Sequence, residues 1–393
     1  MREKFIVVAS FILIFSFASV DNAVSPMVDL IHMFFNIPIE RVLWLISYCT
    51  FGIVVGVFVG PAIINAFRIK KVLLVGILGL ATSLALFLFT GSFYIALFYR
   101  VLFGLSAGLI ASCMWWITYY GVSQKYYSAM VVVLMSARPL SVALGVPFAG
   151  YLASVYGDWK TPFWFYLISI FIFGSILFYT LKGKSQTSKF TLVKIIKEYI
   201  QIFKIRNAAP FYLGMTINKM CYFGFYAMSG LWFIRHYGLD MLRISKIMFF
   251  IGVAETAINF VIPKIAKCVG YQKLFDVSLI LSGILFIIFI PGKIPLVATV
   301  ALISVFMLLD RLYTMSIVIK IPEIFPSVEN KTTFGSLNTL SMWMGLTIIS
   351  WFEGEFLQKV GIQFIQMSLF ALFIIGSCLL YLVFHRALKA QEK

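Results

Sequence analysis

Residues 43–90 read LWLISYCTFGIVVGVFVGPAIINAFRIKKVLLVGILGLATSLALFLFT, two apolar runs (43–64 and 72–90) on either side of a short stretch that holds Arg68, Lys70 and Lys71. A helix needs about 20 mainly apolar residues to cross the ~30 Å hydrocarbon core of a bilayer, and each run has that length. Neither run alternates in the manner of a lipid-facing strand. With no water to satisfy the backbone, such runs are stable in lipid only as helices. The stretch therefore predicts two membrane-spanning helices joined by a cationic turn.

The same pattern extends in both directions. Apolar runs place helices near 5–27, 43–64, 72–90, 94–117, 127–152, 162–181, 208–233, 247–263, 274–291, 295–317, 332–352 and 363–384. Across the chain 62% of residues are hydrophobic and 12% charged, with a mean hydropathy of +0.99. Soluble domains carry about a quarter charged residues, so a water-soluble fold is excluded. The expectation is an all-α polytopic membrane protein with twelve transmembrane helices. The segment after Met1-Arg2-Glu3-Lys4 is read as the first of them and not as a cleaved leader, because its removal would spoil the alternation of charge described next.

The net charge of +17 would suggest nucleic acid as the partner of a soluble protein; here the placement of the charges matters more than their sum. If the N-terminus is cytoplasmic, 21 basic residues fall inside, seven outside and four within the spans. This bias predicts both termini in the cytoplasm, and the expected location is a bacterial inner membrane. Residues 182–207, the longest polar stretch, divide six spans (1–181) from six (208–393). Within it, Tyr199, Ile200 and Phe203 recur at helical spacing against Lys194, Lys197 and Lys204, which suits either a helix on an anionic membrane surface or a linker capping the bundle. At an offset of 202 residues Arg41 matches Arg243, Pro61 matches Pro263 and Lys71 matches Lys273, each pair at the same topological place. A parallel repeat of this kind is one build of secondary transporters, with the binding site between the halves.

The turn Pro61-Ala-Ile-Ile-Asn65-Ala-Phe-Arg68-Ile-Lys70-Lys71 resembles the loop signature Gly-x-x-x-Asp-Arg-x-Gly-Arg-Arg of the major facilitator superfamily. Asn65 stands at the acidic place and Arg68 at the glycine, so the gating charge relay of that family would be altered, although Asn65 could still cap a helix. Arg100-Val-Leu-Phe-Gly104-Leu-Ser-Ala-Gly108 is similar to the family's fourth-helix signature. Gly145-Val-Pro147-Phe-Ala-Gly150 looks like the fifth-helix motif of its drug and metabolite exporters, with Ser141 in place of one glycine. Pro322-Glu-Ile-Phe-Pro326 also resembles family usage. The resemblance implies two six-helix pseudo-repeat bundles, alternating access, and a cavity lined by the first, fourth, seventh and tenth helices.

Ionisable groups inside spans cost roughly 2.5–3.5 kcal/mol each at the helix centre, so each implies a partner or a wet cavity. The candidates for a substrate or proton pathway are Asp21, Arg100, Arg138, Lys219, Glu255, Asp310 and Arg311. From the family's helix neighbours Arg138 is expected to meet Glu255, either as a pair for which substrate or proton competes or as a permanent structural pair. Asp21 is either a proton site, since a partly desolvated carboxylate can load and release a proton, or a helix-end acid wetted from outside. Asp310 and Arg311 point about 100° apart and are poor partners for one another, with one of them expected to face the cavity. Glu353 and Glu355 are expected to be solvated at the outer end of the eleventh span. Four cations against three carboxylates lean towards an anionic or zwitterionic solute, and Trp115, Trp116, Trp343 and Trp351 could stack a ring or anchor the interface.

No P-loop, dinucleotide fingerprint, HExxH or GxSxG is present, and the three histidines and five scattered cysteines have no metal spacing. An enzyme, a metal site, a bound cofactor and a nucleic-acid partner are not expected, and the chain is expected to act as a monomer. Three readings follow: proton-coupled efflux of a small organic solute, uptake of a nutrient or organic anion, and a non-transporting membrane enzyme or sensor.

Overall fold

A computed structural model of the chain describes residues 2–24, 27–181, 192–239, 241–289, 294–325 and 331–391. Of the expected linker only Leu192 onwards is described. Lys182, Lys184, Lys189 and Phe190 lie outside the described residues, as do Lys293 and Pro326. Among the described residues every regular element is helical: α1 (Arg2–Asn22), α2 (Val28–Phe35), α3 (Trp44–Ala66), α4 (Ile69–Phe89), α5 (Phe93–Trp116), α6 (Gln124–Leu140), α7 (Val146–Tyr156), α8 (Thr161–Thr180), α9 (Leu192–Lys204), α10 (Ala208–Tyr237), α11 (Met241–Val269), α12 (Tyr271–Phe289), α13 (Leu296–Ile324) and α14 (Lys331–Gln391). α14 is broken at Gly361, whose φ of 79° and ψ of 164° make it two helices. Nine helices among the described residues are long and apolar enough to cross a membrane. The other three expected spans fall on α10, α11 and the part of α14 before Gly361, the helices that carry Lys219, Glu255 and Glu353.

The chain divides into two compact units, Met1–Ile200 with Asn330–Trp343, and Gln201–Glu329 with Met344–Lys393. In the first, α3 and α5 meet backbone to backbone. A Cβ on Gly104 would lie 1.9 Å from the Cys49 carbonyl oxygen, one on Gly108 2.4 Å from that of Ile53, and one on Gly52 2.2 Å from that of Val101. The small-residue spacing after Arg100 thus has a physical purpose, since without side chains two helices can exchange dispersion contacts along their whole length. The turn between α3 and α4 is short. Asn65 is in the last turn of α3, Phe67 and Arg68 are extended, and Arg68 itself occupies the N-cap position of α4, without a side-chain hydrogen bond to the helix. Lys70 sets its Nζ 4.9 Å from the Phe178 ring, while Arg68 and Lys71 are exposed.

The fifth expected span is two helices, α6 and α7, joined by a π turn over Ser141–Gly145 in which Val146 N–H donates to Ser141 O. Pro139 and Pro147 remove backbone donors on either side, and a widened turn is a common response to a broken i→i−4 ladder. The irregularity thus lies just ahead of Pro147. Gly145 lies against α1, its absent side chain occupied by Ser19, while Pro147 is in the first turn of α7 and Gly150 one turn further on.

In the second unit, α10, α12, α13 and the end of α14 share an aromatic core. Phe225, Phe286, Phe306 and Phe373 meet with ring centroids 5.4–6.3 Å apart.

Candidate functional site

In the first unit Arg100 on α5 is 1% exposed and reaches α1, donating from Nη2 to Asp21 Oδ1 at 3.1 Å. Its Nε donates to Leu45 O at 3.1 Å and its Nη1 to Val20 O at 3.4 Å. Asp21 is 3% exposed, so it is not the wetted helix-end acid that one reading of the sequence allowed. Beside it Asn22 Nδ2 donates to Ser141 Oγ at 2.8 Å, and that hydroxyl donates in turn to Arg138 O at 2.7 Å. The end of α1 is thereby tied to the π turn. Arg138 places its guanidinium 4.2 Å from the centroid of Trp343, and Trp115 Nε1 donates to Thr339 Oγ1 at 2.8 Å.

The second unit holds a denser network. Lys219 on α10 donates to both carboxylate oxygens of Asp310 on α13, at 2.6 and 2.8 Å, and to Thr314 Oγ1 at 2.7 Å. The Tyr313 hydroxyl contacts Asp310 Oδ1 and lies 2.8 Å from Asn218 Oδ1. One residue on, Arg311 turns to the other side, its Nη2 donating to the Tyr222 hydroxyl at 2.7 Å and its Nε 3.6 Å from Glu255 Oε1. Tyr222 closes this second triad by donating to Glu255. Lys219, Asp310 and Glu255 are at most 2% exposed and Arg311 7%.

Every expected pathway residue is thus placed, and three acid–base pairs form within a unit: Asp21 with Arg100, Asp310 with Lys219, and Glu255 with Arg311. Asp310 and Arg311 each bond elsewhere, as their angular separation requires. Glu255 was expected opposite Arg138; its partners here are Arg311 and Tyr222, inside its own unit. The sequence reading missed Tyr222, Tyr313, Thr314, Asn218 and Ser141 as participants, whereas Trp343 was among the tryptophans expected to stack. A signal for them existed: Tyr313 and Thr314 are three and four residues after Asp310, and Tyr222 three after Lys219, the spacings at which helical neighbours meet. Glu353 is a correction. Expected in water, it is 5% exposed, whereas Glu355 is exposed and pairs with Lys359 at 2.7 Å. With Glu353 added, four carboxylates stand against four cations within the spans, and the formal excess of positive charge disappears.

Buried pairs of this kind hold charge in lipid at a tolerable energy, and each is a place where a proton or a charged solute could substitute for one partner. Comparison with known proteins bears on which use applies. The model of the Major Facilitator Superfamily matches residues 7–348. A crystal structure of the human organic anion transporter MFSD10 (TETRAN) is similar in fold, with a TM-score of 0.74 at 15% sequence identity over 96% of this chain and 99% of that one. No curated protein matches the chain.

Proposed function

The chain belongs to the Major Facilitator Superfamily, and on that premise we propose that this secondary transporter exports a small organic anion or zwitterion in exchange for protons by alternating access. The observation that carries the reading is the set of three buried acid–base pairs, which join α1 to α5, α10 to α13 and α11 to α13. Helices that must move against one another in a bilayer cannot leave charges bare, and pairs that exchange partners let them move without doing so. The fifth-helix motif favours export. Arg138 over the Trp343 ring suits an anionic solute with an apolar or aromatic body, and the substrate class named for MFSD10 is of the same kind. We place the transporter in the inner membrane of a bacterium as a monomer, with both termini in the cytoplasm.

Comparing metabolites inside and outside cells with and without the gene identifies the solute with no prior guess. Everted vesicles with an imposed pH gradient then give the direction. Accumulation of that solute with proton release supports export. Uptake together with protons would instead support the symport reading, and movement indifferent to the gradient would remove proton coupling.

A further inference from the structure

One buried acid takes no part in the pairs above. Glu353, eight residues before the break at Gly361, has its carboxyl group against the middle of α10. A Cβ on Gly224 would lie 2.8 Å from Glu353 Oε1, 2.6 Å from Ile349 and 2.7 Å from Leu369, so the missing side chain of Gly224 is the space that the carboxyl fills. Gly224 is 16 residues from the start of α10 and 13 from its end, which places the contact well inside the helix. Oε1 is buried with no hydrogen-bond partner among the described residues.

Among the described residues, the ionisable groups on the surrounding elements do not supply one. On α10, Lys219 bonds Asp310 and Thr314, Tyr222 bonds Glu255, and Cys221, one turn before Gly224, offers only a thiol. On the same helix as Glu353, Glu355 and Lys359 are exposed and pair with each other. On the last helix Leu369 is the residue in contact, and its ionisable groups begin more than two turns beyond it with Cys378 and Tyr381, with His385 and Arg386 further still.

An ionised carboxylate whose Oε1 is enclosed by Ile349, Leu369 and the Gly224 backbone has nothing at that oxygen to replace its water, whereas the neutral acid fits the same enclosure at much smaller penalty. We propose that Glu353 is a proton-binding site, carried as the neutral acid in this packing and ionised when α10 and the Glu353 helix part to admit water. In that step the carboxyl O–H bond breaks, the proton passes to water, and the carboxylate stays on Glu353. In the neutral state four cations face three carboxylates within the spans, so proton occupancy sets the charge presented to a solute. The coupling half of this proposal rests on the transport reading above; the binding half does not.

The test uses the full chain in lipid vesicles. In the infrared, a protonated carboxyl absorbs apart from carboxylates and amides. At neutral pH the wild type is expected to show such a band, lost in Glu353→Gln and kept in Glu355→Gln. Gly224→Ala, which retains the acid but crowds it, is expected to shift the band. A wild-type spectrum that Glu353→Gln leaves unchanged would overturn the site. For coupling, Glu353→Gln is fixed in the neutral form, so it is expected to keep solute exchange without a gradient and to lose accumulation driven by a pH gradient. Full accumulation by the variant would overturn the coupling role while leaving the transport reading intact. If the wild type itself accumulates nothing, the transport reading and the coupling role fall together, and the infrared result still decides the site.

Discussion

Asp310 accepts from Lys219 with both oxygens and also contacts Tyr313, and all three side chains are buried. Removing one member of a buried pair strands the other, an effect of about 3–5 kcal/mol, whereas replacing both by apolar groups of similar volume is often close to neutral. Asp310→Asn is therefore expected to lower the midpoint of thermal unfolding in detergent markedly. The double variant Asp310→Leu with Lys219→Met should recover most of the loss. Equal instability of the single and double variants would mean that this network does more than neutralise charge. Tyr222 is subtler, because its hydroxyl both accepts from Arg311 and donates to Glu255. Tyr222→Phe keeps the ring and leaves two charged groups short of one bond each, worth about 1–3 kcal/mol. The same thermal measurement, set beside that for Asp310→Asn, ranks the two networks. At this scale the sequence was legible in kind and not in pairing. An ionisable residue inside an apolar run announces itself, but its partner lies on another helix, at a rotation about the helix axis that no apolar run specifies. For that reason Asp21 was found without Arg100 as its partner, and Glu255 without Arg311 and Tyr222.

Helix approach sets a second class of constraint. Between α3 and α5 the limit is the carbonyl oxygen of Cys49, 1.9 Å from where a Cβ on Gly104 would stand. Backbone cannot give way as the end of a side chain can, so Gly104→Ala must push the two helices apart over several turns. The expected outcome is poor yield of folded protein and early aggregation on size-exclusion chromatography. Gly91→Ala serves as the control, since among the described residues nothing lies within 4 Å of that position and the change should be silent, within about 0.5 kcal/mol. If both variants behaved alike, the close approach would not be what these glycines provide. Elements were the most readable level of this chain, because a spanning helix needs little beyond length and apolarity, and Gly104 and Gly108 stand where their spacing implied. Departures occurred where backbone geometry is decided by missing donors. The π turn at Ser141–Gly145 arises between Pro139 and Pro147, and the apolar pattern runs through it without a mark.

Orientation in the membrane belongs to the whole molecule, because it is set by the summed placement of 32 basic residues and by no single one. The five cysteines allow it to be read without mutation. Cys49, Cys113 and Cys221 are buried and should resist a polar thiol reagent, while Cys268 and Cys378 are exposed. Exposure means different things for these two. Cys378 lies inside the apolar stretch Gln363–Arg386, where the neighbouring medium is lipid and a charged reagent does not reach. Cys268 is at the end of α11 beside Lys264, Lys267 and Lys273, a cluster that the positive-inside bias assigns to the cytoplasm. A membrane-impermeant maleimide should therefore label one cysteine per chain in everted vesicles and none in right-side-out ones. Mass spectrometry should locate the adduct on Cys268. Labelling of Cys268 from the outer face alone would invert the topology and with it the direction assigned to transport.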